Sequence, residues 1–263
     1  MNKFIGISAI CLAAACTSQQ GFNKSSPPSS NQTDTIQNPT IERQSPTNFT
    51  YLWDGETFDG WQFVDGSQAT TDRWIIEGST LKSIKSDTKR EKDSQSIFTD
   101  KSYSNFELMF DFKVADGANS GVKYLSKLGE KSLPEYQIVF AQPDKPSSNT
   151  GLGAFFAIAS PQYQHAQGRD ARQSNSEWQN GKIVVKDKII QHWLNGVKII
   201  EINRCSPEFN AQVASSMFKE ENNFGKRASG KIMLQYNDGG VDFRNIKIKD
   251  HGGASKAENI CTQ

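Results

Sequence analysis

The residues with chemistry to offer are Glu135, Gln137, His192 and Lys123. Glu135 and Gln137 stand two apart in Glu135-Tyr136-Gln137-Ile138. In a strand they share one face, and Tyr136 and Ile138 take the other. A carboxylate beside an amide on a concave sheet face suits the hydroxyls of a sugar, with Glu135 as a base or a metal ligand. The plain alternative is a solvated outer face. His192 shares its strand face with Ile190 and Leu194, opposite Gln191 and Trp193. Its near-neutral pKa makes it the natural proton carrier, yet apolar neighbours equally suit a satisfied core histidine. Lys123 follows Asn119-Ser120-Gly121. Its ammonium would stabilise an oxyanion or meet an anionic sugar group; otherwise it is an exposed strand lysine.

Weaker candidates surround these. Asn119 and Ser120 would bind hydroxyls, although Asn-Ser-Gly is also ordinary turn chemistry. Trp178 offers a face for stacking a pyranose ring, with core packing as the alternative. Tyr236 is similar and weaker. Arg244 and Asn245 read as structural, the arginine tying down a final strand. His165 and His251 read as loop and tail residues.

Short strands must position these side chains. Phe106, Leu108, Phe110, Phe112 and Val114 alternate with Glu107, Met109, Asp111 and Lys113, the period of a strand with one face in the core. Similar runs fall at 73–77, 80–84, 95–99, 120–125, 136–141, 152–159, 182–186, 189–194, 197–202, 231–236 and 241–249. Gly, Asn, Asp, Pro and Ser separate them. Asn195-Gly196 lies between two apolar runs and predicts a two-residue hairpin, because both central residues of that turn need positive φ. Asp187-Lys188 makes the preceding turn. One helix is predicted, capped by Ser206 with Pro207 at its first position. Phe209, Val213 and Met217 recur along one face of it. Many short strands and one helix predict an all-β sandwich.

The ends and the composition bound the rest. Lys3, an apolar run from Phe4 to Ala15 and the small residues Ala13 to Ala15 before Cys16 read as a lipoprotein signal peptide over 1–15, with Cys16 lipidated after cleavage. The run is too short to cross a bilayer core of roughly 30 Å. Residues 17–48 are rich in Ser, Gln, Asn, Pro and Thr and cannot bury enough apolar surface to offset their ordering entropy. Segment 16–48 is therefore expected to be a disordered tether, followed by one domain over 49–250 and a tail over 251–263. The chain is expected at the cell envelope, facing the periplasm or on the outer membrane. Thirty basic against 29 acidic residues leave a formal charge of +1 and no basic block, so no electrostatic case for nucleic acid exists. Cys205 and Cys261 are either a disulfide tying the tail to the domain, which an exported compartment permits, or two free thiols. No Cys/His cluster suggests zinc.

Several stretches in order resemble the 3-keto-disaccharide hydrolase family: Leu52-Trp53-Asp54-Gly55 through Phe58-Asp59-Gly60-Trp61; Trp74-Ile75-Ile76-Glu77-Gly78 with Leu81; Tyr103-Ser104-Asn105-Phe106-Glu107-Leu108; Gly117 through Tyr124; Glu135-Tyr136-Gln137-Ile138; Glu177-Trp178; His192-Trp193-Leu194-Asn195-Gly196; and Gly230 through Gln235 leading into Phe243-Arg244-Asn245-Ile246. The resemblance implies a concanavalin-like jelly-roll sandwich and a reaction on glycosides already oxidised to a ketone at C3. Such a ketone acidifies the C2 proton. Its removal gives an enolate that can expel the C1 leaving group without an oxocarbenium ion. The reaction asks for a base near C2, a cation or donor at the C3 oxygen and an acid near the glycosidic oxygen. On this reading Glu135 and His192 are base and acid in unassigned order, and Lys123 stabilises the oxyanion. Asn119, Ser120, Gln137, Trp178, Gln179 and Tyr236 hold the substrate.

The chain departs from the family at polar positions. Val139 and Phe140 stand where an Asp is typical, Gln179 where an Asn is usual, Tyr236-Asn237 where an Asp-His pair is common, and Met217 where a lysine is often found. The loop from Gln164 to Ser176 also looks altered. A divalent metal polarising the C3 carbonyl is compatible with the reaction, but the absent Asp and His remove plausible ligands. A cleaving enzyme is therefore weighed against a carbohydrate-binding protein on the same fold. It is also weighed against a conventional glucanase, which needs two carboxylates roughly 5–9 Å apart. Glu107 and Glu135 are the pair to test, with Glu107 expected to face solvent.

Overall fold

The computed structural model describes residues 48–262 apart from 72, 86–94, 131, 140–148, 165–169, 175–176, 222, 238 and 254–257. The leader, Cys16, the tether, His165 and Phe140 lie outside the described residues. Among them the chain forms β1 (Thr50–Tyr51), β2 (Trp61–Gln62), β3 (Trp74–Glu77), β4 (Thr80–Ser83), β5 (Ile97–Tyr103), β6 (Asn105–Val114) and β7 (Asn119–Ser126). There follow β8 (Glu135–Val139), β9 (Gln179–Lys186), β10 (Ile189–Leu194), β11 (Val197–Asn203), α1 (Pro207–Ala214), β12 (Gly230–Leu234) and β13 (Val241–Gly252). A 3-10 turn, Ile260–Thr262, comes last.

The strands make two antiparallel sheets. One has eight strands in the order β11-β10-β9-β6-β13-β4-β3, with β1 added alongside β13; the other has five, β2-β5-β12-β7-β8. This is the expected jelly-roll sandwich with one short helix. Period-two alternation builds it. Along β6 every second residue is buried, so Phe106, Leu108, Phe110 and Phe112 fill the space between the sheets. Burying each such side chain contributes about 1.5–3 kcal/mol. Trp53, Trp61 and Trp74 join this core.

The turns follow their chemistry. Asn195 (φ 48°) and Gly196 (φ 81°) both take the left-handed conformation that a tight β10–β11 hairpin demands. Asp187 (φ 49°) does the same at the β9–β10 turn. The Ser206 side chain caps α1 by accepting from the Phe209 N–H at 3.2 Å, and Phe209 and Val213 are buried. The helix ends at Ala214, however, so Met217 falls beyond it and is exposed. The predicted strand at 152–159 is also corrected. Gly153 and Ala157 take positive φ, which folds the segment into successive turns held by isolated bridges at Phe155. This loop lies along the free edge of β8: the Gln137 N–H bonds Ala154 O at 3.0 Å, the Gly153 N–H bonds Gln137 O at 2.7 Å, and the Phe156 N–H bonds Glu135 O at 3.2 Å.

Candidate active site

The five-stranded sheet carries two separate apolar clusters, one on each face. Val122, Tyr124, Tyr136, Ile138, Ile232 and Leu234 point into the main core. Phe98, Leu133 and Met233 form the second cluster, on the outer face. Strand register then places the candidates. Gln62 pairs with Phe98, Phe98 with Met233, Met233 with Lys123, and Lys123 with Glu135, one row across all five strands. Alternation from Tyr136 puts Glu135 and Gln137 on the outer face, as their spacing predicts.

Lys123 and Glu135 meet there. Lys123 Nζ lies 3.7 Å from Glu135 Oε2, with only 11% and 6% of the two side chains exposed. An ion pair so shielded is screened far less than one in open solvent. The carboxylate rests over Gly121, whose position would put a Cβ 2.5 Å from Glu135 Oε1. Position 121 must therefore lack a side chain for the carboxylate to lie where it does. Sequence reasoning took Asn119-Ser120-Gly121 as turn or hydroxyl-binding residues and missed this role.

His192 does not join them. It is fully buried on the inner side of β10, and its ring centroid lies 4.9 Å from that of Tyr136. Glu135 and Tyr136 project to opposite faces of β8, so the expected acid–base pair is separated by the sheet. Both ring nitrogens are occupied. Gly153 O only accepts, so Nδ1–H donates to it at 2.9 Å, and Nε2 accepts from Tyr124 Oη at 2.8 Å. Burial lowers the His192 pKa to about 4 and pushes that of Tyr124 well above its ordinary value. His192 is a core histidine that holds Gly153, and through it the loop along β8.

Four further candidates are spent on structure. Ser120 is buried and donates to Gln235 O at 2.8 Å. Tyr236 packs edge-on to Trp74, and its hydroxyl donates to Ile84 O at 2.7 Å. Gln179 accepts from the Gln173 N–H and from Asn195 Nδ2, and donates to Ser174 O. Gln137 does reach the outer face, but its Oε1 accepts the Gly151 N–H at 2.9 Å, bracing the loop. Asn119 alone of the hydroxyl-binding candidates is exposed, at the start of β7 opposite Val139.

Trp178 belongs to the other side of the molecule. Arg244 stacks on its ring at 4.0 Å, and Arg244 Nε also meets Asp111 Oδ2 at 3.4 Å. Asp111 alternates with buried Phe110 and Phe112, so this group lies on the outer face of the eight-stranded sheet. Asn180 and Asn245 complete the Asp111 cluster, in keeping with the structural reading of Arg244 and Asn245. Glu107 lies on that face too, 3.2 Å from His251. Glu107 and Glu135 thus sit on opposite outer faces, and this pair does not make the two-carboxylate glucanase arrangement. Among the described residues no three His, Cys, Asp or Glu side chains come together to hold a metal ion. Glu135 faces the Lys123 ammonium instead.

Residues 48–249 match the family model described as the 3-keto-alpha-glucoside-1,2-lyase-like domain. The chain belongs to this family. The 3-keto-alpha-glucoside-1,2-lyase-like domain takes in β1 to β12, β13 as far as Lys249, and the Lys123–Glu135 pair. A 3-keto-disaccharide hydrolase of Bacteroides thetaiotaomicron is 27% identical over 232 residues, 75% of this chain and 77% of that protein. A Parabacteroides distasonis protein provisionally described as a glycosyl hydrolase superposes with a TM-score of 0.66 at 25% identity, covering 78% of this chain and 95% of its own. A second one from that organism gives 0.52 at 22% identity, over 72% and 98%, and shows the shared fold.

Proposed function

We propose that this chain is a glycoside-cleaving enzyme acting on 3-keto-glycosides, with Glu135 as its proton carrier and Lys123 as its electrostatic partner. The observation that carries this is the shielded Lys123–Glu135 pair on the outer face of the five-stranded sheet, inside the segment that matches the family. Glu135 removes the C2 proton of a sugar whose C3 is a ketone. The C–H electrons form the enolate, and Lys123 stabilises the charge that develops on the C3 oxygen. The enolate then collapses to a C1–C2 double bond as the C1–O bond breaks. The proton now on Glu135 passes to the departing oxygen. Water addition across the new double bond completes hydrolysis. One carboxylate that both takes and gives the proton replaces the Glu135–His192 couple that the fold separates. A positioned acid or base contributes roughly 10²- to 10⁴-fold, and stabilising the oxyanion in a water-poor site contributes comparably.

The second reading is a carbohydrate-binding protein on the same fold; Trp178, its candidate stacking face, is half-buried under Arg244 on the outer face of the other sheet. The leader reading places the enzyme at the cell envelope, held to the membrane by a lipid on Cys16.

The test is incubation of the purified protein with 3-keto-glucosides made by enzymatic C3 oxidation, beside a Glu135→Gln variant, with EDTA and with added divalent metals. Cleavage that the variant loses supports the reading. Absence of cleavage across several linkages, with binding of unoxidised sugars, would make it a binding protein.

A further inference from the structure

We propose that Gln235 is a specificity-determining residue that binds the C2 hydroxyl of the 3-keto sugar. The inference rests on the glycoside reading and deepens it. It starts from the strand register around Gly121. On one side Gly121 pairs with Gln137 of β8. On the other side the Gln235 N–H donates to Gly121 O at 2.9 Å, continuing the pairing of Met233 with Lys123 and of Leu234 with Val122. One row thus runs Gln235–Gly121–Gln137, beside the row Met233–Lys123–Glu135. Met233 points to the outer face and Leu234 into the core. Tyr236 packs inside against Trp74. By this alternation Gln235 projects from the outer face, where Glu135 and Lys123 lie.

Two amide side chains therefore flank the glycine over which the Glu135 carboxylate rests. That of Gln137 is spent on the Gly151 N–H. That of Gln235 is partly exposed, and among the described residues no group hydrogen-bonds it. Its backbone, by contrast, is pinned. Besides the N–H bond to Gly121, Gln235 O accepts from the buried Ser120 hydroxyl at 2.8 Å. A fixed backbone carrying an unengaged amide spends little affinity on ordering when it takes up a ligand group.

Gln235 stands close enough to share a substrate with Glu135. Directly opposed residues of an antiparallel pair hold their Cβ positions about 4.5–5.5 Å apart. A Cβ at Gly121 would lie 2.5 Å from Glu135 Oε1, so the Gln235 Cβ is at most about 8 Å from that oxygen. Position 121 puts no side chain between them. The reaction then assigns the group that Gln235 meets. Oε1 is the oxygen over Gly121, and the carbon that gives it a proton is C2. Lys123, which faces Oε2, is the next outward residue along β7 and takes the C3 oxygen. Gln235, across on β12, faces the other substituent of C2, its hydroxyl. Lys123 and Gln235 lie in neighbouring directions about Gly121, as do the substituents on adjacent ring carbons. A carboxamide both donates and accepts, which suits a hydroxyl.

The experiment compares kcat/KM of the whole protein on p-nitrophenyl 3-keto-glucoside and on its 2-deoxy counterpart, for the wild type and for Gln235→Leu. Both substrates carry an acidic C2 proton and the same leaving group, so both can eliminate. Their difference in intrinsic reactivity is common to the two proteins and cancels when the two preferences are compared. The expected result is that the preference for the hydroxylated substrate falls about tenfold in the variant, the worth of one hydrogen bond to a partly exposed amide. The fall is carried by the hydroxylated substrate. Gln235→Leu breaks no bond within the fold, and its thermal melt is expected to follow that of the wild type. An equal loss on both substrates would make Gln235 a packing residue, and an unaltered preference would mean that it does not meet the hydroxyl. Either overturns the inference and leaves the glycoside reading standing. If the wild type cleaves neither substrate, the glycoside reading fails and takes this inference with it.

Discussion

A Cβ on residue 121 would lie 2.5 Å from Glu135 Oε1, so the backbone at Gly121 decides where the Glu135 carboxylate rests. The nearest atoms are Oε1, Cγ and Cδ of the Glu135 side chain, so a Cβ there displaces the carboxylate and leaves the backbone in place. Catalysis is less forgiving, since about 1 Å of misplacement costs on the order of 10²-fold. Gly121→Ala is therefore expected to melt within a few degrees of the wild type and to lose about 10²-fold in kcat/KM on a 3-keto-glucoside. A variant that keeps full activity would place the reacting carboxylate elsewhere.

Removing one half of a shielded ion pair is worse than removing both. Lys123→Met leaves the Glu135 charge with little water and without its ammonium, and such losses cost about 3 kcal/mol or more when the site is buried. Glu135→Gln in the same background removes that charge. The double variant is thus expected to be more stable than Lys123→Met alone. Urea denaturation of the wild type, both single variants and the double variant completes the cycle. If the single effects simply add, the pair contributes nothing as a pair.

The Cys205–Cys261 bond links residues 56 apart and fastens the C-terminal 3-10 turn beside Arg204. Closing a loop of that length in the unfolded chain stabilises the fold by about 4 kcal/mol in the chain-entropy account. For a domain of this size that corresponds to a fall in Tm of about 10 °C on loss of the bond. Calorimetry of a Cys205→Ser/Cys261→Ser variant measures it. Little or no fall would mean that the tail docks without the bond.

Much of the fold was legible because one face of each strand is apolar and the other is not. The β6 alternation, the Asn195-Gly196 turn and the Ser206 cap all follow from local chemistry and stand in the structure. Met217 misled because its spacing continues the helical face, while the helix itself stops at Ala214. The stretch 152–159 misled because its apolar residues serve a looped segment, turned by positive φ at Gly153 and Ala157. In the site, the shared face of Glu135 and Gln137 could be read from their spacing. The meeting of Lys123 with Glu135 could not, since it depends on the register of β7 against β8. His192 and Tyr236 are polar residues on inward faces. Sequence marks their polarity, and only the packing shows that each polar atom is already bonded inside.

His192 gives a prediction that separates a structural from a catalytic histidine. Its imidazole is neutral in the fold, with a pKa lowered from 6.5 to about 4 by burial. Above the unfolded value neither state is protonated, and the contribution of the buried ring is fully present. Between about pH 6.5 and 4 the unfolded chain takes up a proton that the fold refuses, so stability falls as pH falls. A difference of about 2.5 units corresponds to roughly 3 kcal/mol lost across that window. His192→Asn cannot titrate and leaves Tyr124 Oη and Gly153 O poorly matched. It is expected to be less stable than the wild type at pH 7.5, and its loss of stability down to pH 4 should be smaller by about those 3 kcal/mol. Under conditions where it is folded, the variant should keep kcat within a few-fold of the wild type, because the ring lies on the opposite face of the sheet from Glu135. Urea titrations at several pH values and single-turnover rates on a 3-keto-glucoside measure both. A fall in rate of 10² or more in a fully folded variant would return His192 to the chemistry.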